Sequence, residues 1–274
     1  MEAIKMRKFH KFFAFTFFIS TLLSHVVIAD NIETAPQESL ISRSYNAVKT
    51  TAKITTALGL ALCAHIITEL PIVYAHEYGH YFGYFLTGSF GGVVNVECKL
   101  GQHLLAVFMP FFGSYMGFGK ESIIGTTAGP LAGMASNYAI MVATNALHKK
   151  MKYNLSNKET LQQSMSSPRD AYKDLSNEIT RIFVEQANYK ILSFSDIFMM
   201  TFNILKSSKM FGEFIYGLTP ISIPDGDGDK LWKMFGLKKD LTVNFLTSFA
   251  LGAFPTFATV IYGVARGVYL NTQP

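Results

Sequence analysis

A polar island, His76-Glu77-Tyr78-Gly79-His80, interrupts a stretch that is otherwise largely apolar from Leu58 to Leu86. An apolar run of this length predicts a helix, and histidines four positions apart then project from one helix face. Two imidazoles at that spacing can share one metal ion, and Glu77 stands beside them as a candidate base. Burying such groups without partners is costly, and ionisable residues at membrane depth are functional candidates by default. The competing reading is a pair of hydrogen-bonded structural histidines, and a metal site requires at least one further ligand.

The chain of 274 residues is 49% hydrophobic and only 16% charged, too apolar for an ordinary soluble domain. Its 24 Phe and 21 Gly suit an all-α polytopic membrane protein. The net charge of +5 gathers beside apolar segments, as in Lys5-Met6-Arg7-Lys8 and Lys149-Lys150-Met151-Lys152, where lipid headgroups would meet it. No nucleic-acid motif accompanies it. Cys63 and Cys98 indicate neither a disulfide framework nor a cysteine metal site.

Residues 1–29 read as a signal peptide ending Val27-Ile28-Ala29, or as a first span; either implies membrane targeting. A polar linker covers 30–50. The unit 51–147 holds the His-Glu helix, a small membrane-associated β-hairpin and a second core span, Ile123 to Leu147. Its strands are expected at Val93–Glu97 and His103–Met109, joined around Leu100-Gly101. Pro71 predicts a break in the preceding helix or a projecting first part. The hydrophilic stretch 148–190 carries an amphipathic helix with Ser167 as N-cap and Pro168 in its first turn. A third core span ending in an aspartate-rich motif occupies 191–240, and a last span 241–274. An exported N-terminus and the basic cluster at Lys149-Lys150 give opposite orientations, so orientation stays open.

Three places can supply a third ligand. In an extended H-E-x-x-H-x-x-G-x-x-H pattern the last histidine falls on Leu86, which excludes that arrangement. Glu97 lies in a strand-like run without a helix to present it. The aspartates of Pro220-Ile221-Ser222-Ile223-Pro224-Asp225-Gly226-Asp227-Gly228-Asp229 are better placed, at the end of an apolar segment. They do not form an EF-hand loop, whose sixth and twelfth positions would be Lys230 and Gly236 here. Asp225 and Asp227 both remain candidates.

Three blocks together resemble the site-2 proteases, a family of intramembrane zinc metalloproteases. Ala75-His76-Glu77-Tyr78-Gly79-His80 is similar to the family's H-E-x-G-H, and Ala128-Gly129-Pro130-Leu131-Ala132 to its A-G-P-L-A. Pro220, Asp225 and Gly226 fall at the offsets of its N-x-x-P-x-P-x-x-D-G. Departures are Gly217 for the asparagine, Ser222 for the second proline, and Gly133 where an asparagine usually follows the second block.

The resemblance implies one Zn²⁺ held by His76, His80 and Asp225, with Glu77 as the catalytic acid-base residue. It also implies a core of three transmembrane helices plus flanking spans. The expected substrate is a transmembrane protein cleaved within or near its span, and the expected setting a lipid bilayer, the bacterial inner membrane. The strand-like segment 93–109 is expected to pair with the unwound substrate. On an ideal helix at ~100° per residue, His65, Glu69, His76 and His80 also share one stripe. Glu69 then either lines a wet path to the metal or pairs locally.

Overall fold

The computed structural model describes residues 40–89, 92–98, 111–117, 121–154, 167–185, 190–220, 225–236 and 245–273, the side chains of 40–44, 98, 111–112 and 245–250 excepted. The expectation for residues 1–29 lies outside these, as do the expected strand 103–109 and the turn at Leu100-Gly101. Helix α1 (Leu40–Leu86) is followed by strands β1 (Gly92–Cys98) and β2 (Phe111–Gly117) and helix α2 (Ile123–Tyr153). Then come α3 (Pro168–Glu185), α4 (Phe194–Leu218), the short α5 (Asp227–Met234) and α6 (Phe245–Asn271).

Helix α1 runs unbroken through Pro71 for 47 residues, or ~70 Å at 1.5 Å per residue. It begins inside the segment expected to be a linker, since residues from Leu40 onward are already helical. Its buried stripe is Ala57, Ala61, His65, Glu69, Ile72, His76 and His80, spaced by three or four. The facing stripe of α2 has a four-residue period: Gly125, Gly129, Gly133, Asn137, Met141 and Asn145. Small residues let the backbones meet. A Cβ on Gly79 would lie 2.6 Å from the Ala128 carbonyl oxygen, and one on Gly83 2.8 Å from that of Ile124.

Helix α4 completes a three-helix core. It is parallel to α1, because Glu69–Lys206 and His76–Glu213 carry the same sequence offset of 137. It is antiparallel to α2, where Asn203 meets Asn145, Ser207 meets Met141, and Gly217 packs on Pro130. Between the three helices glycine, threonine, asparagine and charged residues are buried together with Ile72, Met141 and Phe202, while many large apolar side chains face outward. Ile67, Tyr74, Phe82, Phe85, Ile124 and Leu131 are all exposed. Two described helical segments are long and apolar enough to cross a membrane, Tyr45–Leu86 and Leu251–Asn271.

The hairpin is antiparallel, with Asn95 opposite Ser114 and Val93 opposite Met116. Among the described residues its second strand is 111–117. The glycines there fit strand geometry because β2 presses directly on α1: a Cβ on Gly113 would overlap the Glu77 carboxylate. Tyr115 stacks on Tyr84 at 5.5 Å between ring centroids.

Helix α3 starts where its capping residues predict. The Ser167 backbone N–H donates to Asp170 Oδ2 at 2.7 Å, and the Asp170 N–H returns a longer bond of 3.4 Å to Ser167 Oγ. The helix then packs on α6, where Gly263 and Gly267 face Ile179 and Phe183. The Ser167 backbone bond, with help from its hydroxyl, holds the Asp170 carboxyl below the ordinary carboxylate range. Its contribution is therefore complete above the unfolded value and is lost as pH falls through the lower folded value. Ser167→Ala should cost about 0.5–2 kcal/mol, read as faster amide exchange in the first turn of α3 at neutral pH. Unchanged exchange would remove the cap from the account.

Candidate metal centre

His76 and His80 sit one turn apart on the buried stripe of α1, and each imidazole is fixed from behind. His80 Nδ1 lies 2.8 Å from the Gly125 carbonyl oxygen, which can only accept, so Nδ1 carries the proton. His76 Nδ1 lies 2.9 Å from Glu213 Oε2 on α4, again as donor to a carboxylate. Both rings therefore turn Nε2 forward, where each could offer a lone pair to a metal ion, and the two Nε2 atoms are 3.2 Å apart. Gly129 makes this possible, because a Cβ there would overlap the His80 ring.

Asp227 closes the constellation. Its Oδ2 is 3.0 Å from His76 Nε2 and its Oδ1 3.3 Å from His80 Nε2. The three side chains offer ligand atoms within 4.8 Å of one another, a group able to hold a metal ion. Two imidazole nitrogens and one carboxylate oxygen, with orienting partners behind them, form a donor set typical of catalytic divalent sites.

The structure brings Asp227, not Asp225, to the histidines. Asp225 has a left-handed backbone, with φ of 59°, and its side chain is 87% exposed, 3.4 Å from Lys233 Nζ. That turn reverses the chain into α5, whose first residue is Asp227 and whose N-cap is Gly226. Asp229 secures the turn by accepting the Asp225 backbone N–H at 2.8 Å, and the Trp232 indole N–H ties α5 to the Leu218 carbonyl at 3.2 Å. The Asp-Gly pair occurs twice, at Asp225-Gly226 and Asp227-Gly228, and only the fold separates them.

Glu77 is buried next to the histidines, under the backbone of β2 at Gly113. Glu97 stands exposed on β1 with Asn95 as a hydrogen-bond donor. Glu69 is paired across the helix interface with Lys206 at 2.9 Å and Lys209 at 3.5 Å. Glu213 was not among the residues expected from the sequence. Its signal is Lys206, Lys209 and Glu213 recurring at helical spacing in an otherwise apolar segment.

No family model, curated protein or solved structure matches the chain.

Proposed function

We propose that this chain is an intramembrane zinc metalloprotease of the site-2 protease type, hydrolysing peptide bonds within or near transmembrane segments. The observation that carries this reading is the convergence of His76, His80 and Asp227 beside Glu77, with both histidine Nδ1 protons committed elsewhere. A zinc ion held there would act as a Lewis acid toward water and the peptide carbonyl. Glu77 takes the proton of the attacking water and returns it to the departing amine. His76, His80 and Asp227 keep the reacting groups in place, while Glu213 and the Gly125 carbonyl hold the two rings in register.

The distribution of polarity supports a bilayer setting. Buried residues include His65, Glu69, Asn137, Asn145, Lys206 and Glu213, whereas Ile67, Phe82, Phe85, Phe257 and Ile261 are exposed. Ionisable groups buried between helices with many large apolar side chains exposed are what a lipid setting would favour. The strand β2, lying over Glu77, offers an unwound substrate a place to pair. A prenyl-protein-type protease, which takes a glutamate ligand, is less well supported, because the carboxylate at both Nε2 atoms belongs to Asp227 and Glu213 meets the far nitrogen of His76.

The test is cleavage in reconstituted vesicles of membrane proteins that accumulate intact in cells carrying a Glu77→Gln variant. Chelation should stop cleavage by the wild-type protein, and zinc should restore it. Cleavage that continues after complete metal removal would refute the reading.

A further inference from the structure

Behind the metal centre, α1 and α4 share a cluster of four charged side chains, with His65 of α1 beside it, its Nδ1 3.7 Å from Glu69 Oε1. Lys206, with no exposed side-chain surface, lies 2.9 Å from Glu69; Lys209 bridges Glu69 at 3.5 Å and Glu213 at 3.1 Å. Glu213 then accepts the His76 Nδ1 proton at 2.9 Å. Two carboxylates face two ammonium groups, so the set is neutral as a whole although each member is buried. A lone buried charge would be strongly destabilising, whereas a compensated and hydrogen-bonded set is tolerable. Aliphatic side chains would hold the two helices together without that desolvation cost, so stability alone gives little reason for this set.

The cluster runs from His65 at Glu69 to His76 at Glu213. Glu69 and His76 are seven residues apart on α1, and Lys206 and Glu213 seven apart on the parallel α4, so the set is a two-turn ladder ending on the metal-facing imidazole. Lys209 stands between the rungs and holds the Glu213 carboxylate from the side away from His76. Gly133 leaves room for this arrangement, since a Cβ there would lie 3.2 Å from His76 Nδ1 and 3.4 Å from the Glu213 carboxylate.

We propose that Glu213 is a positioning residue for the metal centre, that it fixes and polarises His76, and that Lys209, Glu69 and Lys206 form the buried ionic frame that holds it there. This rests on His76, His80 and Asp227 binding a metal, as proposed above. A carboxylate on the outer nitrogen of a ligating imidazole fixes its tautomer and raises its basicity, and losing such a partner typically lowers metal affinity about 10–100-fold. The frame also links metal affinity to the register of α1 against α4, because a slip of either helix by one turn would separate Glu213 from His76.

The experiment uses the full chain in detergent, stripped of metal and titrated with Co²⁺ alone, then with Zn²⁺ in competition. Variants are Glu213→Gln, Glu213→Ala and, as a control in the same helix, Ser207→Ala. Replacing Glu213 leaves two ammonium groups facing the single Glu69 carboxylate, so metal-free melting curves establish whether each variant is folded, and the measurement on the unaltered protein below carries the test where one is not. The expected result is about a 10–100-fold loss of affinity in Glu213→Ala, a smaller loss in Glu213→Gln, and an altered visible spectrum of bound cobalt in both. Ser207→Ala should match the wild type. Wild-type affinity and spectrum in both Glu213 variants would overturn the proposal while leaving the metal centre standing. A wild-type chain that binds neither ion would instead refute the metal centre, and the proposal with it. As a measurement on the unaltered protein, histidine nitrogen NMR of the metal-loaded chain should show His76 protonated at Nδ1; protonation at Nε2 would also overturn it.

Discussion

Glu77→Gln should keep metal binding and lose about 10²–10⁴-fold in peptide hydrolysis. Glutamine fills the same volume beside the histidines and under Gly113, so neither α1 nor β2 has reason to move. What it lacks is the ability to take a proton from water and hand it to the amine of the broken peptide bond. Metal affinity should stay within a few-fold of wild type, because the side chains that converge as ligands are His76, His80 and Asp227. The two readouts together separate this account from a non-catalytic scaffold, in which the substitution would change neither. A variant that still cleaves at the wild-type rate would remove Glu77 from the chemistry.

The parts of this arrangement that depend on local spacing were legible in the sequence. Two histidines at i and i+4 share a face in any helix, and the cap at Ser167 requires only its own next three residues. The extent of α1 was less legible. Pro71 left open a break or one long helix with a projecting first part; the helix continues through it, and Ile72 directly after it is fully buried. The parts that depend on tertiary contact were not legible. Glu213 meets His76 across 137 residues of sequence, and nothing local to α4 names that partner.

The second strand illustrates the same limit. Residues 111–117, which form it, are rich in aromatic residues and glycine and were not named as a strand from the sequence. Contact with α1 explains that composition: Gly113 admits the Glu77 carboxylate, and Tyr115 stacks near His80 with ring centroids 6.4 Å apart. The aspartates pose the sharpest case. Asp225 and Asp227 are each followed by glycine, and the linear motif points to Asp225, whereas the side chain that meets the histidines is that of Asp227. The left-handed turn at Asp225 decides the matter by turning that side chain toward Lys233 and starting α5 at the next aspartate, Asp227. Gly217, where the resembling family has asparagine, is accounted for by packing: a Cβ there would overlap Pro130.

That choice of aspartate also yields the most direct test of the account. Asp227→Ala removes the carboxylate that, among the described residues, lies close to both Nε2 atoms. It should lower affinity by more than the about 10–100-fold expected from losing an outer partner such as Glu213. Asp225→Ala removes an exposed group paired with the side chain of Lys233, and should bind metal as the wild type does. The decisive measurement is bound zinc per chain in the purified full-length wild type, Asp225→Ala and Asp227→Ala proteins after equilibration at one free zinc concentration. The account predicts one zinc in the wild type and in Asp225→Ala, and close to none in Asp227→Ala. Full occupancy in Asp227→Ala, or loss of zinc in Asp225→Ala alone, would contradict it.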